Sequence, residues 1–115
     1  MFIAAAVVTA LLALALLASA YGKLTKDPKQ MKVLETVRVR EDDVWLLAVA
    51  EIAGGLGLLV GLLWWPLGAA AGVGVILYFL GAVGAHLRVK DNKFAAALIV
   101  LLIAVAALIL RMSSI

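Results

Sequence analysis

The chain contains four stretches in which charge almost disappears. Phe2 to Tyr21 carries none, Val44 to Leu63 carries only Glu51, Leu67 to Leu87 holds only the titratable His86, and Phe94 to Leu110 carries none. A helix needs about 20 apolar residues to cross the ~30 Å hydrocarbon core of a bilayer. Inside lipid every backbone N–H and C=O must be paired within the protein, which leaves helices or a closed barrel. These runs do not alternate in polarity, so helices are the expectation. Together they occupy 78 of 115 residues, which leaves no room for a separate soluble domain. The expected fold is all-α, a bundle of four transmembrane helices forming one membrane domain over residues 1–115, with spans near 2–21, 44–63, 67–87 and 94–110.

Composition narrows the chemistry further. Hydrophobic residues make up 67% of the chain and charged residues 15%, against about 25% charged in soluble domains. The absence of cysteine removes disulfides, thiolate zinc sites, Fe–S clusters and CxxC redox pairs. A single histidine cannot build a histidine-rich metal site, and no metal is expected. Ala18-Ser19-Ala20 has the small-residue form of a signal-peptidase site, but the chain opens Met1-Phe2-Ile3 without a basic leader and its apolar run exceeds the usual 7–15 residues of such signals. The first run is therefore expected to remain as a membrane span.

The basic residues orient the bundle. Lys23, Lys26, Lys29, Lys32, Arg38 and Arg40 follow the first span, and Arg88, Lys90 and Lys93 follow the third, leaving only Arg111 on the opposite side. Basic residues in short loops favour the cytoplasm, so loops 22–43 and 88–93 are expected inside a bacterial plasma membrane and both termini outside. Tyr21, Trp45 and Phe94 at one edge, and Phe2, Trp64 and Trp65 at the other, suit interfacial anchoring. Trp64-Trp65-Pro66-Leu67 allows only a tight hairpin, which makes the second and third spans antiparallel neighbours.

The first loop carries a signal of its own. Asp27 before Pro28 reads as a helix N-cap with proline at the first helical position, and Met31, Leu34 and Val37 recur every third residue. A short amphipathic helix lying on the membrane is expected between the first and second spans. Glu41-Asp42-Asp43 places acidic charge at the start of the second span, where the helix dipole favours it. The lysines suit anionic head groups. Five acidic residues share the loop and no aromatic platform accompanies them, so nucleic acid is not an expected partner.

Glu51 is the most informative residue. It lies six residues beyond Trp45, hence about 9 Å deep, where an ionised carboxylate facing lipid is expensive. Leu47, Ala48, Gly54, Gly55 and Leu58 share its helix face. His86 and Arg88, at the same end of the third span, are the expected partners, and Tyr78 in mid-span is a candidate wall for an apolar cavity. Two readings stand for this cluster: a buried network that fixes helix register, or a polar site for a head group, a quinone carbonyl or a proton. Nothing nearby resembles a nucleophilic triad or a catalytic carboxylate pair, so no catalytic residue is assigned. Nine of the ten glycines fall in the second and third spans or their hairpin. Gly54, Gly55, Gly57, Gly61, Gly68 and Gly72 are expected to serve close helix packing, with Gly57/Gly61 and Gly68/Gly72 in GxxxG spacing; an oligomer seam or an opening for a flat ligand is the other reading. The fourth span has no polar side chain and reads as lipid-facing or structural.

The run Glu51-Ile52-Ala53-Gly54-Gly55-Leu56-Gly57-Leu58-Leu59-Val60-Gly61, followed by Pro66-Leu67-Gly68 and by His86-Leu87-Arg88-Val89-Lys90-Asp91, resembles the DoxX-like family, as do Lys23-Leu24 and Asp27-Pro28. The resemblance implies a four-helix integral membrane protein of bacterial type, with Glu51, His86 and Arg88 at the family's polar positions. It also implies kinship with membrane subunits and accessory proteins of redox and stress-response systems, one of them part of a thiosulfate:quinone oxidoreductase. Fold alone confers no chemistry. The expected function is a non-catalytic membrane subunit or scaffold, with a quinone as the candidate cofactor and a membrane or peripheral redox protein, or a second copy of the chain, as candidate partner. The alternatives are a small membrane enzyme or transporter using Glu51 and His86 for proton transfer, or an assembly factor. Reporter fusions within residues 23–43 are expected to read as cytoplasmic; a fusion there that reads as external would overturn the orientation.

Overall fold

The computed structural model describes residues 2–89 and 95–114, apart from the side chain of Glu41. Regular structure there is entirely helical: α1 (Phe2–Leu24), α2 (Pro28–Thr36), a 3-10 turn at Glu41–Asp43, α3 (Val44–Gly61), α4 (Trp65–Arg88) and α5 (Ala95–Ser113). The four long helices are each long and apolar enough to cross a membrane. Lys90, Asp91, Lys93 and Phe94, invoked for the second basic loop and the last span, lie outside the described residues.

Helical periodicity sorts each long helix into one buried stripe. On α1 it runs through Ala5, Thr9, Leu12, Ala13, Leu16, Ala20 and Lys23; on α3 through Val44, Ala48, Glu51, Gly55, Leu58 and Gly61. On α4 the stripe includes Gly68, Gly72, Val75, Phe79 and His86, and on α5 Leu101, Ala104, Ala107 and Arg111. Only 17–33% of the residues in each span are buried, and the remaining surface is dominated by side chains such as Leu11, Leu14, Val49, Leu77, Leu102 and Ile109. An apolar surface this continuous suits hydrocarbon, not water. The molecule is 40 Å along its longest axis, close to the full thickness of a bilayer with its head groups.

The helices close into a ring in chain order. α1 packs against α3 and α5, and α4 packs against the same two, giving an up-down-up-down bundle with α2 as an excursion. Because lipid offers no hydrophobic drive for helix association, contact depends on small residues that let backbones approach. Ala5, Ala13, Ala20 and Ala48 are completely buried.

The closest approach is at the α3–α4 hairpin, where a Cβ on Gly61 would collide with the Cα and N of Gly68. Further along the pair, a Cβ on Gly57 would come within 2.9 Å of the Ala71 Cβ, and one on Gly54 within 2.9 Å of Val75. Gly55 turns instead to α1, against Leu17 and the Ala13 carbonyl, and Gly72 faces Leu108 of α5. All six glycines therefore sit at helix contacts within one chain. Gly74, Gly81 and Gly84 face open space.

The connections follow local chemistry. Asp27 caps α2 by accepting from the Gln30 N–H, with Pro28 at the first helical position, and Met31, Leu34 and Val37 turn inward while their neighbours are exposed. Both α1 and α2 end in the same way. The Asp27 N–H reaches the Gly22 carbonyl and the Lys26 N–H the Lys23 carbonyl; the Val39 N–H reaches the Leu34 carbonyl and the Arg38 N–H the Glu35 carbonyl. These are Schellman closures, with Lys26 at φ 56° and Arg38 at φ 65° in the left-handed position that glycine usually fills. Charge-based boundaries were one turn too early for two helices: α1 continues through Lys23 and α5 through Arg111, because both basic side chains fold inward.

Adding a methyl at the hairpin contact should be costly. Gly61→Ala is expected to lower stability by about 1–3 kcal/mol through overpacking, whereas Gly81→Ala should stay within about 0.5 kcal/mol of the parent. Thermal unfolding in mild detergent measures both, and equal melting temperatures would refute the contact.

Candidate functional site

A polar network closes the end of the bundle where α1 meets α2. Lys23 lies in the last turn of α1, on the same stripe as Ala20 and Leu16, so its side chain points into the bundle, not out to solvent. Its Nζ lies 2.7 Å from Glu51 Oε1 on α3 and donates to Ser19 Oγ at 2.8 Å and to Gln30 Oε1 at 3.2 Å. Gln30, on α2, also donates from Nε2 to the Ser19 carbonyl at 3.2 Å. Gly22 makes this bridge passable, since a Cβ there would collide with the Gln30 amide.

The Lys23 and Glu51 side chains are 9% and 1% exposed, so each is stripped of water and depends on the other. Removing one partner of such a pair leaves a buried charge uncompensated, which is far more damaging than replacing both. Lys23 is the partner of Glu51 Oε1, and no further donor reaches that oxygen among the described residues.

This arrangement corrects the pairing expected from sequence. Among the described residues Glu51 pairs with Lys23, not with His86 or Arg88. The reason is rotational. Gly55, one turn along α3, faces Ala13 and Leu17 of α1, and Glu51 on the same stripe turns the same way. Arg88 is exposed. His86 is buried at 7% exposure, and its ring lies 3.2 Å from the Ala82 carbonyl, a contact that places a proton on Nδ1.

Tyr78 is the predicted residue that shares a space with Glu51. Both line a cleft of about 580 Å³ between α3 and α4, floored by Leu16 of α1, and the Tyr78 ring meets Phe79 edge-on at 4.9 Å. The volume falls within the range of small-molecule sites. Ala50, Ala53, Gly74 and Leu77 on its rim are exposed, so the cleft opens on the outer flank of the bundle. It exists because both walls are built from small residues, and a Cβ on Gly74 would meet nothing within 4 Å. Among the described residues its polar side chains are Glu51 and Tyr78, and no cation lines it. Among the described residues no three metal-ligating side chains converge.

A second buried cation, at the opposite end, escaped the sequence reading. Arg111 donates from Nε and Nη2 to the Gly61 carbonyl, at 3.4 Å each, and from Nη1 to Ser114 Oγ at 3.0 Å. Its guanidinium lies 5.4 Å from the Phe2 ring centre. Gly61 ends α3, so Arg111 satisfies a terminal carbonyl at the negative pole of that helix. The available signal was phase: Arg111 continues the Ala104, Ala107 stripe, as Lys23 continues Leu16, Ala20.

Lys23→Met is expected to cost on the order of 3 kcal/mol by stranding Glu51. Combining it with Glu51→Leu should recover most of that loss. Unfolding in detergent of the two single variants and the double variant gives the coupling directly, and additive losses would refute the pair.

A family model described as the DoxX-like family matches residues 7–108. Curated proteins and solved structures gave no match. The matched region runs from the first turns of α1 nearly to the end of α5 and includes Lys23, Glu51, Tyr78 and His86. The chain is a four-helix membrane protein and belongs to the DoxX-like family.

Proposed function

We propose that the protein is a non-catalytic membrane subunit that holds a lipophilic molecule, a quinone or a lipid, in the α3–α4 cleft for a redox or stress-response partner. One observation carries this reading: a carboxylate on the wall of an otherwise apolar cleft of about 580 Å³ that opens sideways from the bundle. An opening on the flank lets a molecule enter from the hydrocarbon without crossing water. Glu51 is held in place by Lys23, so a ligand would meet a prepositioned polar group instead of having to order one. Among the described residues no nucleophile–base pair lies beside it, and in this reading the chemistry of any redox step belongs to the partner.

The same reading places the protein in a bacterial plasma membrane with both termini outside and the Lys23 end in the cytoplasm. Nine of the ten basic residues support that orientation. α2 would then lie at the inner surface, with Lys29 and Lys32 exposed to anionic head groups.

Purification of the full chain in mild detergent, followed by mass spectrometry of extracted small molecules and co-purifying proteins, tests the proposal. A lipophile should accompany the parent chain and be lost from Ala53→Phe, which fills the cleft mouth without touching the Lys23 network. An equal yield of every species from the two chains would overturn it.

A further inference from the structure

Resting on the reading of the cleft as a lipophile site, we propose that it selects a neutral amphiphile whose head group donates a hydrogen bond, a hydroxyl on an apolar body, and rejects phosphate-bearing lipids.

The selection follows from what the walls contain. Glu51, as the anionic half of an ion pair, is an acceptor only, with about four lone-pair sites. It is 3% exposed, and its Oε1 lies 2.7 Å from the Lys23 ammonium. One ammonium cannot fill every lone pair of a carboxylate, so the group keeps acceptor capacity for a further donor. Lys23 holds the carboxylate from the α1 side and is absent from the cleft wall. An incoming head group therefore meets a carboxylate whose charge Lys23 already balances from behind, and finds no cation of its own in the described cleft lining.

A phosphate would bring its own charge into an apolar cleft where the described lining offers no cation to balance it, since Lys23 is engaged by Glu51, and an unpaired charge there is costly. A head group that only accepts, such as a methyl ether, would bring the carboxylate no further donor. A hydroxyl suits the wall better: its proton can go to Glu51 and its oxygen can accept from the Tyr78 hydroxyl, the other polar side chain of the cleft. The apolar body has its own place, because Gly57, Ala71 and Gly74 remove side-chain bulk from the two walls. Sites that hydrogen-bond a substrate hydroxyl reject the analogue lacking it far more strongly than apolar pockets reject an added group.

The probes are para-octylphenol, its methyl ether and octyl phosphate, titrated against the full chain in nanodiscs with binding and melting temperature as readouts. The phenol should bind about tenfold tighter than the ether or the phosphate, equivalent to 1.4 kcal/mol, and should raise the melting temperature most. In Glu51→Gln, whose amide can also donate, the margin over the ether should collapse. Should that variant fail to fold, Ala53→Phe supplies the control, since it should abolish binding of the phenol while leaving the ion pair intact. Equal binding of phenol and ether, lost in Ala53→Phe, overturns the donor selection and leaves the lipophile site standing. Tighter binding of the phosphate overturns the selection as well. Absence of binding by all three overturns both.

Discussion

Two opposite charges buried in an apolar bundle are tolerable only together, and the arrangement of this protein depends on that rule. Lys23 and Glu51 lie on different helices, so the pair can be satisfied only when α1 and α3 are in one rotational setting. Hydrocarbon makes weak distinctions between leucine-rich helix faces, whereas a stranded charge there is costly. The ion pair therefore specifies register more sharply than the surrounding aliphatic contacts do. Gln30 extends the constraint to α2, since its amide accepts from Lys23 and donates to the Ser19 carbonyl.

Glycine and alanine act on the other half of the bundle in two opposed ways. At Gly61 and Gly68 the missing side chains let backbones touch, and the hairpin closes. At Ala53 and Gly74 the same lack of bulk has no backbone to fill it, and a cleft remains. One compositional bias thus produces both a backbone-to-backbone contact and an open cleft. The void lies beside the carboxylate that the ion pair has positioned.

Much of the fold could be read from the residues. The charge-free runs mark the four spans, a tight hairpin joins the second and third although its turn falls at residues 62–64 and Trp65-Pro66 already open α4, and Asp27-Pro28 starts α2 where it was expected. Glu51 also stands out as a residue that cannot face lipid. Its partner does not, because a charge count ends the first span at Tyr21 and assigns Lys23 to the loop. Helical phase would have placed Lys23 below Leu16 and Ala20 on the buried stripe, and Arg111 below Ala104 and Ala107. Basic residues at the end of a span look alike in sequence whether they reach for water or fold back; the choice is made by an acceptor on another helix. An opening among the glycines and a cavity wall at Tyr78 could be read as alternatives, but not which glycines leave space, since glycine in a span signals close approach and open space with the same letter.

The contact between Arg111 and the Gly61 carbonyl joins residues 50 positions apart in the chain. A hairpin of α3 and α4 alone therefore lacks the side chain that covers its terminal carbonyl. α5 supplies that cap and, through Phe2, touches α1. One guanidinium thus clasps three helices at this end of the ring, and a bundle without Arg111 would leave the clasp open.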